Sequence, residues 1–300
     1  MEHGESVAGA RMSGPARATL PDGRRHLQHG PIDLVIEAWG EAREVQAAYE
    51  QAWARFQDVL DTLVAELPLL RAPVGAAYPL ARGPVAKRMV AAVWPHRKVF
   101  ITPMAAVAGA VADETLAALR AGRTLAKAYV NDGGDIAIWL ASGESLDAGI
   151  VDNPLQPIPN STVRLASPCG LATSGWRGRS QSLGIADAVT VLARSAAGAD
   201  AAATLIANAV NVEHPAVRRL PAREVKEDSD LGDLRVTVAV GALPPASVAK
   251  ALEKGCTLAR AMRRAGLIHA AYLSLQGQVR VARPPEAAGC AKLRAGRMTA

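Results

Sequence analysis

Between Ala172 and Val210 the chain reads Ala172-Thr173-Ser174-Gly175, then Gly184-Ile185-Ala186-Asp187-Ala188-Val189-Thr190-Val191, then Ala199-Asp200-Ala201-Ala202-Ala203-Thr204. A turn of small residues leads into an apolar, β-branched run of strand length. An alanine-rich segment of high helix propensity follows. On that helix Asp200 and Thr204 stand four residues apart and share a face. A carboxylate stacked on a hydroxyl offers two hard oxygens, the donors Mg²⁺ takes while leaving its other positions to water or phosphate. An Asp in the first turn of a helix is equally an ordinary response to the helix dipole, so the pair alone does not decide between the two.

Upstream, Pro21-Asp22-Gly23 punctuates the chain, and Arg24 to Ala38 reads as strand or hairpin edge with Ile32, Leu34, Val35 and Ile36. The spacing of Val45, Ala48, Ala52, Phe56, Leu60 and Leu63 predicts one helix over Glu41 to Leu67. Val85 to Trp94 predicts a short helix, and Pro103 to Arg120 a second helix of small side chains around Gly109, able to approach another backbone or a ligand closely. Leu125 to Val130 and Ile136 to Leu140 read as strands joined by Asn131-Asp132-Gly133-Gly134-Asp135. Glycines there permit positive φ and free N–H groups to face an anion, and they equally suit a plain hairpin. Downstream, strands are expected at Ser161 to Leu165, Ala188 to Ala193, Leu234 to Val240 and Ala270 to Gln276, with helices from near Ala199 to Asn211 and from Pro245 to Ala265. Two successive blocks of helix followed by paired strands are consistent with an internal duplication.

The 300 residues are 50% hydrophobic and 21% charged, the balance of a globular protein with a sizeable core. Met1 to about residue 20 is polar and glycine-rich and reads as a disordered tail. Residues 21–283 read as one domain, and residues 284–300 as a basic flexible tail. The net charge of +6 is spread along the chain, and aromatics make up only 4%, so neither nucleic acid nor a membrane is an expected partner. Apolar runs stop short of the roughly 18 residues a membrane span needs. Cys169, Cys256 and Cys290 show no Cys-x-x-Cys spacing, which argues against a zinc site or disulfide framework. A cytoplasmic setting is expected.

Phosphate-loop, nucleophile-elbow, zinc-protease and dinucleotide fingerprints are all absent. His26 and His29 lack a third ligand nearby. What remains is a set of anion-friendly turns and hard-oxygen donors. Asp187, just before the strand, adds a carboxylate that is either a ligand or a turn residue capping that strand.

Taken in order, the Gly109 helix, Asn131 to Ile136, Ala172 to Gly175, Val189-Thr190-Val191 and Ala199 to Thr204 resemble the ApbE superfamily, whose founding members are Mg²⁺-dependent FAD:protein FMN transferases. The resemblance covers roughly residues 100 to 212 and points to the short uncharacterised branch of that superfamily. It implies an α+β, T-fold-related architecture of helices packed on antiparallel sheets. It also implies Mg²⁺ at Asp200 and Thr204, and a cleft for a flavin (FAD or FMN), nucleotide or pterin-like small molecule lined by Gly133, Gly134, Asp135, Thr173, Ser174 and Gly175. The chain departs from the transferases in two places. Their His-x-x-Asp-Pro-x-Thr-Gly motif has no counterpart between Trp176 and Ala188, where Asp187 would stand in for part of it, and Ala108 occupies the position of a transferase lysine. The expectation is therefore a metal-assisted phosphoester or cofactor-biosynthesis enzyme, or a non-catalytic relative that keeps the cleft, with genuine flavin transfer a further alternative.

Overall fold

A strand buried on one face alternates core and surface, and Ile32–Gly40 does so residue by residue, burying Ile32, Leu34, Ile36 and Ala38. In the computed structural model, which describes residues 14–152, 158–159, 161–283 and 291–295, this strand is β3. It follows β1 (Ala16–Thr19) and β2 (Arg25–His29) in an antiparallel meander. β1 lies inside the stretch expected to be a disordered tail, which corrects that boundary. All four of its residues are exposed, so no apolar alternation marked it. Its backbone pairs with β2, and Arg17 reaches Glu50 and the Trp53 ring.

The single helix expected over Glu41 to Leu67 is two, α1 (Ala42–Phe56) and α2 (Val59–Val64), and a third, α3 (Leu67–Arg71), begins at its end. Asp58 leaves helical geometry, with φ −109° and ψ 3°, and its carboxylate is held by Arg55 at 2.5 Å. Val59, Leu60 and Leu63 still reach the core that Ala48, Ala52 and Phe56 occupy. The apolar spacing therefore runs across the break and hides it. Next come α4 (Pro84–Val93), a 3-10 turn at Pro103–Ala106, and α5 (Val107–Arg120).

The hairpin β4 (Leu125–Asp132) and β5 (Asp135–Leu140) turns on Gly133 and Gly134, both at positive φ (62° and 108°), as a tight two-residue connection demands. β6 (Leu146–Ile150) and β7 (Ser161–Leu165) leave the main sheet. β8 (Cys169–Ser174), β9 (Ala188–Ala193) and α6 (Ala196–Ala209) return to it. The arm β10 (Val217–Pro221), α7 (Ala222–Val225) and β11 (Arg235–Val240) precedes α8 (Pro245–Arg264), β12 (Ala270–Leu275) and β13 (Gln278–Ala282). β14 (Ala291–Ala295) pairs with β7, so the segment expected as a basic flexible tail also contributes a strand. Residues 1–13, 284–290 and 296–300 of the two expected tails lie outside the described residues.

The main sheet has nine strands in the order β1-β2-β3-β4-β5-β8-β9-β12-β13, every neighbour antiparallel. α1, α5, α6 and α8 pack on one face and share a single core with it. Against the other face lies a three-stranded sheet, β14-β7-β6, through Ile138, Leu140, Val163, Leu165 and Leu171. β9, covered on both sides, is buried at all six residues, which explains its unbroken apolar sequence. The α+β class with antiparallel sheets and packed helices is as expected from the sequence. Among the described residues, no helix is long and apolar enough to cross a membrane.

Candidate functional site

The helix carrying Asp200 begins three residues earlier than its sequence suggested. Ser195 caps α6 by accepting from the Gly198 N–H at 3.1 Å. From α5, the Asp113 carboxylate accepts from the Ala196 and Ala197 N–H groups at 3.0 and 2.9 Å. Asp200 returns the favour, accepting from the Gly109 N–H in the first turn of α5 at 3.2 Å. Each helix thus caps the other with a carboxylate. The approach this needs depends on Gly109: a methyl group there would collide with the Ala196 main chain. The close approach inferred for the small-residue helix is therefore to backbone, and it places Asp200 between the two helices.

Asp200 and Thr204 line one cavity of about 260 Å³ together with Asp135, Thr102, Asn208, Phe100 and Met104. A second, of about 510 Å³, is lined by Asp132, Gly133, Gly134, Asp135, Thr173, Ser174, Gly175 and Asp187. Ala108, Asp135, Arg179 and Ser180 line both. Each residue expected to hold the metal or the ligand therefore lies on one of two adjoining cavities, with Asp135 common to them.

The electrostatics are dominated by carboxylates. Asp132 is 4% exposed, and burial pushes its carboxyl up to about 7 against the pull of the Asp33 N–H and Arg179. Asp135 faces it across the hairpin and is raised too, first by burial and then by Asp132. Asp200 is raised well above the ordinary range by burial, with Asp135, Asp132 and Asp113 adding repulsion and the Gly109 N–H opposing. Among the described residues no group of three or more His, Cys, Asp or Glu side chains is arranged to hold a metal ion by itself.

The remaining expected residues divide. Thr173 and Ser174 end β8 instead of forming a turn. The Thr173 N–H donates to Asp135 at 3.2 Å, and its hydroxyl pairs with that of Thr190 at 2.8 Å. Gly175 packs so closely on the Asp187 carbonyl that a side chain would collide. The Asp187 carboxylate is fully engaged, accepting from Trp176 Nε1 (3.2 Å), Arg177 Nε (3.0 Å) and the Gln276 N–H (2.6 Å). It anchors the loop over residues 175–187 while lining the larger cavity.

Sequence reasoning missed Asp132, Asp113 and Arg179. Asp132 stood within the quoted Asn-Asp-Gly-Gly-Asp run. The resemblance points to Gly133-Gly134-Asp135 instead, and nothing in the sequence says that the strand end at Asp132 is buried. Asp113 gave no signal, since its partners are backbone amides more than 80 residues away. Arg179 lies in Trp176-Arg177-Gly178-Arg179-Ser180, where two guanidiniums among small residues could have drawn notice.

An α+β protein with an acidic, glycine-walled cleft between two mutually capped helices and a hairpin turn defines the class. The family described as AbpE bacteria matches residues 17–281, and the chain belongs to that family. Among curated relatives, a UPF0280 protein of Methanopyrus kandleri is 33% identical over 205 residues, 67% of this chain and 80% of its own length. A UPF0280 protein of Methanothermobacter thermautotrophicus is 37% identical over 141 residues, 44% of this chain and 51% of that protein. Another, of Methanothrix thermoacetophila, is 41% identical over 132 residues, 42% and 52%. The chain thus spans about half the length of these last two. Of solved structures, an ApbE protein of Thermotoga maritima is similar at TM-score 0.46 and 13% identity, covering 89% of this chain and 96% of that one. The flavinyl transferase ApbE of Pseudomonas stutzeri, apo form, is similar at 0.41 and 13%, covering 92% and 94%.

Proposed function

We propose that this protein binds a phosphorylated small molecule of flavin, nucleotide or pterin-like type together with Mg²⁺, and that its chemistry, where it turns over, is metal-assisted cleavage or transfer at a phosphoester. The observation that carries this reading is Asp200. Its carboxylate has one neutral donor, three like-charged neighbours and no cationic partner among the described residues, on a cavity wall it shares with Thr204. A hard cation answers that charge imbalance. Two protein oxygens leave most of its coordination to water and phosphate, as Mg²⁺ prefers. When bound, the ion would polarise a phosphoryl oxygen and neutralise developing charge. Around it, Asp135 would orient the ligand through the glycine turn. The β8 end presents Thr173 and Ser174 toward the second cavity.

A non-catalytic binding role is the second reading, and one observation favours it. Among the described residues no histidine lines either cavity, and Ala108 stands where both cavities meet. Carboxyls, with Lys226 on the smaller cavity, are the titratable groups present there for proton transfer.

The test is the melting temperature of the pure protein against FAD, FMN, ATP and a reduced pterin, each with and without MgCl₂. A Mg²⁺-dependent rise with one ligand class is expected, on the order of several degrees at a hundredfold excess over Kd. Asp200→Ala is expected to remove the Mg²⁺-dependent part while the unliganded protein still melts within a few degrees of wild type, because a lost cap is offset by relief of repulsion. Equal Mg²⁺ responses in mutant and wild type would rule out the metal assignment. Mg²⁺-dependent release of FMN or AMP from FAD separates catalysis from binding.

A further inference from the structure

We infer that Arg179 is an anion-binding residue of the cleft, its guanidinium placed to engage the phosphate oxygens of the ligand. The inference rests on the phosphate-and-Mg²⁺ reading above.

Arg179 lies on the loop over residues 175–187 and lines both cavities, so it stands where a group spanning the two would pass. Among the described residues it forms no ion pair. The other cations of the smaller cavity, Arg71 and Lys226, both reach Asp228, at 2.9 and 3.8 Å. Arg177, two residues earlier, is bound to Asp187. Arg179 is therefore the cleft's uncommitted guanidinium.

Its position is set by the glycine turn beneath it. Gly133 sits at φ 62°, where a side chain is strained, and a Cβ there would run into the Arg179 guanidinium. The turn thus keeps open the space in which the guanidinium lies. Asp132 and Asp135 flank that turn, and the Arg179 charge partly offsets the rise that burial gives their carboxyls. The loop itself is tied down on either side of Arg179: the Trp176 N–H donates to the Ala186 carbonyl at 3.0 Å, Gln181 Nε2 to the Ala222 carbonyl at 2.9 Å, and the Leu183 N–H to Asn208 Oδ1 at 2.9 Å. A planar fork of donors on an anchored loop, exposed at the cavity wall and without an ion-pair partner among the described residues, suits a phosphate. On this assignment Arg179 would hold a phosphoryl group in the cavity whose wall also carries Asp200 and Thr204, the residues that would hold the cation.

The experiment is calorimetric titration of the full chain with inorganic pyrophosphate, FAD and riboflavin in MgCl₂. Arg179→Ala is expected to weaken pyrophosphate and FAD at least tenfold and leave riboflavin, which has no phosphate, unchanged. Arg179→Lys should recover part of the loss, since it restores the charge without the fork. Gly133→Ala, which keeps the arginine but pushes it aside, should weaken the phosphate probes in the same way. An Arg179→Ala protein that binds pyrophosphate and FAD as wild type does, in a Mg²⁺-dependent manner, overturns the inference and leaves the metal reading standing. Pyrophosphate and FAD failing to bind wild type with Mg²⁺ overturns both. If Arg179→Ala changes only thermal stability, the residue merely offsets its acidic neighbours and the inference is wrong.

Discussion

Asp132 is the residue whose burial has the most direct thermodynamic consequence. Its carboxyl titrates near 7 in the folded chain against an ordinary value of 3.8, so over that interval the folded state holds the proton more tightly than the unfolded state. Stability from this group is fully present below pH 3.8, falls as pH rises toward 7, and levels off above. Asp135 and Asp200 shift in the same direction. Asp132→Asn, a neutral group of the same shape, is accordingly expected to raise the melting temperature of the unliganded protein by several degrees at pH 8 and by little at pH 4. Melting curves across that range check it, and a constant difference would mean that charge is not the cause. Legibility at this scale was uneven. Asp200, Thr204 and the Gly133-Gly134 turn could be picked out because spacing and residue type reveal a shared helix face or a positive φ. Asp113 and Asp132 could not, because what distinguishes them is what surrounds them.

Among elements, the pairing of α5 with α6 is the joint on which the cleft depends. Gly109→Ala would drive a methyl into the Ala196 main chain, so the helices must separate and the capping bond from Asp200 must lengthen. A loss of about 1–3 kcal/mol in urea unfolding is expected, although alanine is the better helix former in isolation. An unchanged or raised stability would show that the helices can spread freely. The sequence predicted most elements because apolar periodicity and Gly/Pro punctuation are local. It failed where local signals are silent. The α1–α2 break keeps its apolar face in register, and β1 pairs through backbone alone. β13 and β14 lie in polar or basic segments whose pairing partners are set by the rest of the fold.

For the whole molecule, one core runs beneath α1, α5, α6 and α8 on a single nine-stranded sheet. Unfolding followed by far-ultraviolet circular dichroism and by the fluorescence of Trp39, Trp53, Trp94, Trp139 and Trp176 is therefore expected to give coincident urea transitions. Two separated transitions would mean that the three-stranded sheet or the β10–β11 arm unfolds by itself. The α+β class was readable because the family resemblance implied it and the order of helices and paired strands agreed with it. The strand order was not, since it is decided by pairings between distant segments such as β5 with β8 and β9 with β12. Asp187 shows what such distant ties mean for inheritance. One carboxylate holds the cleft loop to Gln276, a residue at φ 46°, outside the range most side chains adopt. In a genetic screen, Asp187 and Asp200 alleles would look alike at first. Asp187 alleles should regain function at lower growth temperature as conditional mutations, whereas Asp200 alleles should stay null at every temperature.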